Sequence, residues 1–86
     1  MASTDLTARF STKALLLQFA EEVRQTPLVA VDYEYRKVSV VRDYPWQIDL
    51  RATHPGEVSL GAMAVQCGGE IISLTMADTP VVADVL

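Results

Sequence analysis

Residues 11–25, STKALLLQFAEEVRQ, decide the fold class, because their apolar side chains recur at the spacing of one helical face. On a helical wheel this face spans an arc of about 140°. Its members are Leu15, Leu16, Phe19, Ala20 and Val23. Ser11 is the expected N-cap, since its hydroxyl can accept a backbone N–H of the first turn. Pro27 is expected to end the helix, because the residue before a proline is pushed out of the helical conformation.

The chain after this helix is rich in β-branched and aromatic residues, which favour strands. We expect strands at about residues 28–35 and 38–42. The apolar positions change parity between these two segments, and a regular strand cannot change parity. A bulge or an irregular bend is therefore expected near Arg36 and Lys37.

Two further strand signals follow. Alternating apolar and polar side chains predict a strand over residues 46–51 with one buried face, and its apolar members are Trp46, Ile48 and Leu50. Gly68-Gly69 stands between two apolar runs and fits a two-residue hairpin turn. That turn predicts strands at about residues 58–67 and 70–76, paired so that the apolar residues of both strands share the inner face. In this register Leu74 faces the core.

Together these elements predict an α+β fold with two layers, in which one N-terminal helix packs on an antiparallel sheet of four to five strands joined as hairpins or a meander. We expect a single compact domain over residues 1–86. The apolar residues 81–86 are expected either to add an edge strand or to cover one. A chain of 86 residues and 9.4 kDa is too short for two domains, a barrel enzyme or a full dinucleotide-binding fold.

The charge pattern argues against a nucleic-acid partner. Seven Lys and Arg stand against 11 Asp and Glu, for a formal net charge of −4. The excess of acids falls in residues 57–86, which contain no Lys or Arg. This segment is read either as an ordinary solubilising charge or as an acidic surface for a basic partner.

The expected location is the cytoplasm, away from membranes. No apolar run approaches the ~20 residues that span a bilayer. Asp5 stands where a signal peptide would carry a basic region. The unpaired Cys67 fits a reducing compartment.

Motifs for catalysis, metals and cofactors are missing from the sequence. His54 and Cys67 are its one histidine and one cysteine, and no CxxC, HxxxH, GxGxxG or GxxxxGK[ST] pattern occurs. A nucleophilic Cys67–His54 pair would require two loops to meet, which nothing in the spacing demands. We therefore expect no enzymatic activity, no cofactor and no metal.

One segment has the composition of a binding surface. Residues 33–46 hold all three tyrosines, the tryptophan and three of the seven basic residues. These residue types are enriched at binding hot spots. The predicted partner-binding residues are Tyr33, Tyr35, Arg36, Lys37, Arg42, Tyr44 and Trp46. The alternatives are that Trp46 and one or two tyrosines belong to the core, covered by Arg42, or that the aromatic rings stack on nucleic-acid bases.

The expected function is a non-enzymatic protein-interaction domain, a regulatory or assembly component that acts through a preformed surface. A specialised form is a small phage-type inhibitor of a bacterial enzyme. The alternative is a small enzyme or ligand-binding subunit whose site forms between protomers and is lined by His54 or Cys67. A homodimer is expected, because one helix leaves a face or edge of the sheet under-protected and the mean hydropathy of +0.21 is high.

Overall fold

The computed structural model describes residues 2–27, 30–39, 41–54 and 59–78. Four strands form one antiparallel sheet in the order β2-β3-β1-β4, and both helices pack against it. The elements are β1 (Ala2–Phe10), α1 (Lys13–Gln25), β2 (Ala30–Lys37), β3 (Trp46–His54), α2 (Leu60–Gln66) and β4 (Glu70–Asp78). The expected α+β class, with a helix packed on an antiparallel sheet, is confirmed.

The first element, β1, is a strand that the sequence patterns did not predict. In β1 the side chains of Leu6, Ala8 and Phe10 are buried, and the residues between them are polar. This period of two is the signature of a strand with one buried face. α1 is therefore the second element, and its N-cap is Thr12 rather than Ser11: the Thr12 hydroxyl accepts the N–H of Leu15 at 3.2 Å.

The strand order departs from the expected meander. β1 lies between β3 and β4, and β3 lies between β1 and β2. Because every neighbouring pair is antiparallel, β1 runs parallel to β2 and β3 runs parallel to β4. Each helix thus connects two parallel strands that have a third strand between them. This β-α-β-β-α-β arrangement is the split β-α-β, or ferredoxin-like, topology.

Only the first part of the expected strand pair at residues 28–42 forms a strand. β2 ends at Lys37, and the prediction of a second strand over residues 38–42 is wrong, since residues 38, 39, 41 and 42, the described part of that range, are not in a strand. The chain instead turns back toward β3. The N–H of Val38 donates to the carbonyl of Pro45 at 2.6 Å, and the N–H of Val41 donates to the carbonyl of Val38 at 3.1 Å. The change of parity near Arg36 and Lys37 marks the end of a strand rather than a bulge within one.

The predicted strand over residues 46–51 is confirmed and extends to His54 as β3. Ile48 and Leu50 are buried, as the alternation indicated, and Trp46 is partly buried. The residues of β1 that pair with them are also in the core: Leu6 pairs with Leu50, and Ala8 pairs with Ile48. β3 and β1 therefore form the centre of the sheet.

The predicted strand at residues 58–67 is wrong, because residues 60–66 form the short helix α2. The Ser59 hydroxyl caps its start by accepting the N–H of Ala62 at 3.3 Å. Leu60 and Ala64 lie one turn apart and are both buried. Small apolar residues fit this helical face as well as they fit a strand.

The glycine pair ends this helix instead of turning a hairpin. Gly68 has φ +85°, the left-handed conformation that a non-glycine residue adopts only with strain. The N–H of Gly68 donates to the carbonyl of Val65 at 2.9 Å, and the N–H of Gly69 donates to the carbonyl of Ala64 at 2.8 Å. These two bonds define a Schellman motif, which satisfies carbonyls that the helix end leaves unpaired.

The expected strand over residues 70–76 is present as β4, but it pairs with β1 and lies at the edge of the sheet. Leu74 pairs with Leu6, and the register shifts between Thr7 and Ala8, so that Ile72 has no partner on β1. Leu74 is exposed rather than buried in the core, because it lies on an edge strand that α2 only partly covers. The expected role of residues 81–86 lies outside the described residues.

The core lies between the two helices and the central strands, with α1 supplying its largest helical side chains. The rings of Phe10 and Phe19 stack with centroids 5.5 Å apart, and both are fully buried. Leu16 and Val23 complete the buried face of α1. The amphipathic face that the sequence predicted is the face that packs on the sheet.

Candidate interaction surfaces

The cross-strand register decides which side of the sheet each candidate residue faces. Tyr33 pairs with Leu50 and Tyr35 pairs with Ile48, so both tyrosines lie on the side that the helices cover. Arg36 pairs with Gln47 and lies on the opposite, open side. The seven predicted binding residues therefore do not form one surface, since they are distributed over both sides of the sheet and the connection between β2 and β3.

Four of the seven, Tyr33, Tyr35, Lys37 and Trp46, lie on the helix-covered side of β2 and β3. Tyr33 and Trp46 pack against the core, which agrees with the alternative reading for these two. Arg42 and Tyr44 lie in the connection between β2 and β3, with Arg42 exposed and Tyr44 partly buried.

A group of aromatic rings and lysines forms where β2 meets the start of α1. The Nζ of Lys13 lies 5.8 Å from the ring centroid of Tyr35 and 5.7 Å from that of Trp46. The Nζ of Lys37 lies 6.0 Å from the ring centroid of Trp46. We call Lys13, Tyr35, Lys37 and Trp46 the aromatic–lysine cluster. Sequence reasoning missed Lys13, because the fold alone brings the start of α1 to the end of β2.

The open side of the sheet is polar. Asp49 accepts hydrogen bonds from Thr7 at 2.9 Å and from Gln47 at 3.3 Å, and it pairs with Arg36 at 3.0 Å. Asp5 pairs with Arg51 at 2.8 Å, an exposed bond that raises the pKa of the Arg51 guanidinium. Within the described strands this side carries no aromatic ring, so it lacks the platform on which single-stranded bases stack.

This open side also forms a depression of about 540 Å³. Asp5, Asp32, Glu34 and Asp49 line it, with Arg51 as the cation among the lining residues. Two of the four carboxylates, Asp5 and Asp49, are already engaged in ion pairs across the sheet. The depression is therefore a solvated polar face with its charges partly matched in pairs.

The four most exposed of the large apolar side chains in the described residues lie on β4 and on the helix α2 beside it. Val65 is 57% exposed, Ile72 43%, Leu74 43% and Met76 59%. We call these four residues the β4 strip. A Cβ built on Gly61 would lie 3.1 Å from Cδ2 of Leu74, which places α2 directly against β4. Val65 follows Gly61 by one helical turn and so faces the same way.

The two edges of the sheet differ in charge. β2 carries Asp32, Glu34, Arg36 and Lys37. Residues 71–77 of β4, IISLTMA, carry no charge and no proline. Charged side chains on an edge strand discourage the pairing of a further strand, and β4 lacks them along these seven residues. The sequence did not reveal this contrast, because residues 70–76 were expected to pair with residues 58–67 as the second strand of a hairpin.

Cys67 is buried at the end of α2. Its Sγ–H donates to Oε2 of Glu22 at 2.9 Å. Burial, followed by the hydrogen bond and the charge of Glu22, raises the pKa of the Cys67 thiol to about 11. A thiol with this pKa is a poor nucleophile near neutral pH.

His54 is fully buried at the end of β3, where its Nε2 lies 3.0 Å from the hydroxyl of Thr4. Neither His54 nor Cys67 lies on the surface.

Across residues 2–27, 30–39, 41–54 and 59–78, no group of three or more His, Cys, Asp or Glu side chains is placed to hold a metal ion. The helices in these ranges are too short or too polar to cross a membrane.

Comparison with known proteins gives no match: no family model, no curated protein and no solved structure is similar to this chain. The ferredoxin-like topology itself hosts many unrelated functions.

Proposed function

We propose that this protein is a non-enzymatic interaction domain that binds an extended segment of polypeptide along the edge of β4. The observation that carries the proposal is the β4 strip, in which Val65 of α2 lies beside three exposed apolar side chains of an edge strand that has no charge from residue 71 to residue 77. An added strand would satisfy main-chain groups along the edge and cover the apolar side chains at the same time.

The alternation of β4 sets the chemistry of the bound segment. Leu74 and Met76 lie on the helix-covered side, whereas Ser73 and Thr75 lie on the open, polar side. A complementary segment therefore alternates apolar and small polar residues. Each Å² of apolar surface that it covers contributes about 25 cal/mol, offset by the cost of ordering the segment.

The seven residues predicted from the sequence remain a second, separate proposal. Support for it comes from the aromatic–lysine cluster, in which Lys13 and Lys37 flank Trp46. Such a patch suits an acidic segment of a partner.

Inhibition of a bacterial enzyme is one form that the proposed binding can take, and a reducing cytoplasm suits the free thiol of Cys67. The alternative of an enzyme site lined by His54 or Cys67 finds no support in their burial.

Selection of peptides on the purified protein tests the proposal without a known partner. Random peptides displayed on phage are selected on the full chain, and the bound peptides are mapped by amide chemical shifts. We expect alternating apolar sequences that perturb residues 70–78 and lose binding at least tenfold in a Leu74→Lys, Met76→Lys variant.

The matched control is Leu17→Lys, which adds the same charge at a leucine on α1 that is 39% exposed. This variant is expected to bind the peptides as the natural chain does. Peptides that perturb the aromatic–lysine cluster instead, or that bind the β4 variant unchanged, would contradict a binding site on β4. Failure to select any peptide would contradict it as well.

A further inference from the structure

We propose that the strand seated on β4 is the β4 strand of a second copy of this chain, so that two four-stranded sheets join into one continuous antiparallel sheet. This inference rests on the proposed function and names its partner. It assigns the β4 strip to the contact between the two copies.

An antiparallel pair of identical strands is related by a two-fold axis, so each residue contact occurs twice. The two sides of β4 match themselves under this symmetry. Leu74 and Met76 meet apolar side chains of the partner copy on the helix-covered side, and Ser73 and Thr75 meet hydroxyl groups on the open side. Val65 on α2 extends the apolar contact beyond the strand.

Charge explains why the β4 edge is the place where two copies meet. Each chain has a formal net charge of −4, so identical copies repel each other at most orientations. The neutral run of residues 71–77 lets the central parts of two strands approach with no charged side chain in the seven middle pairs. The run is centred on Leu74, so a two-fold axis there places Glu70 of each copy opposite Asp78 of the other. Like charges then meet only at the two ends of the paired strands, and added salt is expected to strengthen the pairing.

The charges on the other edge strand, β2, limit the assembly to two copies. Once two β4 edges have paired, the sheet that remains is bounded by β2 on each side. β2 carries charges at Asp32, Glu34, Arg36 and Lys37, and such an edge does not readily add a further strand. The pairing therefore closes as a dimer instead of extending into a fibre.

A charge-exchange experiment on the full chain tests this inference. Leu74→Lys and Leu74→Glu each place like charges next to the two-fold axis, so each variant alone is expected to sediment as a monomer. Mixed in equal amounts they place opposite charges there, and a heterodimer is expected to form. Leu17→Lys is the matched control and is expected to dimerise as the natural chain does, with a dissociation constant in the micromolar range (~1–100 μM) that suits a small interface.

Circular dichroism shows whether each variant is folded, and Met76→Lys paired with Met76→Glu repeats the experiment should a Leu74 variant unfold. If the natural chain stays monomeric up to ~1 mM, the inference that a second copy occupies β4 is wrong. Peptide binding at β4 would then still support the proposed function with another protein as partner. Strong amide protection of the β4 edge in such a monomer would show that the edge is already covered within one chain, and it would overturn the proposed function as well.

Discussion

Replacing glycine by alanine is expected to affect stability differently at Gly61 and at Gly69, because the two glycines have different neighbours. A Cβ on Gly69 would lie 2.7 Å from two ring carbons of Phe10 and 2.9 Å from the carbonyl oxygen of Ala64. Phe10 is fully buried and cannot move aside. A Cβ on Gly61 would instead meet only the methyl end of the exposed Leu74 side chain, at 3.1 Å.

We therefore expect Gly69→Ala to lower the free energy of unfolding by about 1–3 kcal/mol, as overpacking does. Gly61→Ala is expected to leave stability unchanged or to raise it by up to ~1 kcal/mol, because alanine is the better helix former. Urea denaturation of both variants checks the pair. Equal losses in the two variants would contradict the packing of the end of α2 against Phe10.

The environment of Cys67 predicts a pH dependence. Its pKa is raised in the folded chain from the ordinary 9.0 to about 11, chiefly by burial. The neutral thiol is therefore favoured by folding, and this contribution to stability is fully present below pH ~9 and is lost as the pH rises through ~11.

Alkylation by iodoacetamide, followed against pH in the native protein, is expected to rise with a midpoint near pH 11 instead of pH 9. Glu22→Gln removes the negative charge but keeps burial, so it is expected to shift the midpoint part of the way down. Rapid alkylation of the native chain at pH 8 would contradict the buried thiol.

At the scale of the elements, the sequence correctly predicted those helices and strands whose apolar spacing fits only one type of secondary structure. α1 has a strong helical period, and β3 has a clear alternation. α2 was assigned to a strand because its small residues fit both periods and because Gly68-Gly69 fits both a hairpin turn and a helix end. β1 also carries the alternation of a strand, at Leu6, Ala8 and Phe10, but the signal is weaker than in β3 because one of these three apolar residues is an alanine.

Leu6 and Leu74 pair across β1 and β4 and provide a matched test of the topology. Leu6 lies on a central strand and is 2% exposed, whereas Leu74 lies on the edge. Leu6→Ala is expected to lower the free energy of unfolding by about 2–5 kcal/mol through lost burial and a cavity. Leu74→Ala is expected to cost less than ~1 kcal/mol at low protein concentration. A larger loss for Leu74→Ala would restore the hairpin register in which Leu74 faces the core.

For the whole molecule, the proposed binding surface depends on topology more than on local composition. Residues 33–46 have the composition of a hot spot, but the fold divides them between two sides of the sheet and a connection. The β4 strip has no such local signal. Its exposure arises because β4 is an edge strand and because α2 is short. Strand order depends on contacts between residues far apart in the chain, which periodicity does not report.

Hydrogen–deuterium exchange of the natural chain, measured from about 1 μM to about 1 mM, tests the central claim most directly, since that range brackets the affinity of a small interface. If two copies pair along β4, the amides of Glu70–Asp78 that point away from β1 become protected as the concentration rises, and those of Ala30–Lys37 on the charged edge do not change. Exchange in β4 that stays equally fast at every concentration, or protection that appears in β2 instead, would contradict the account.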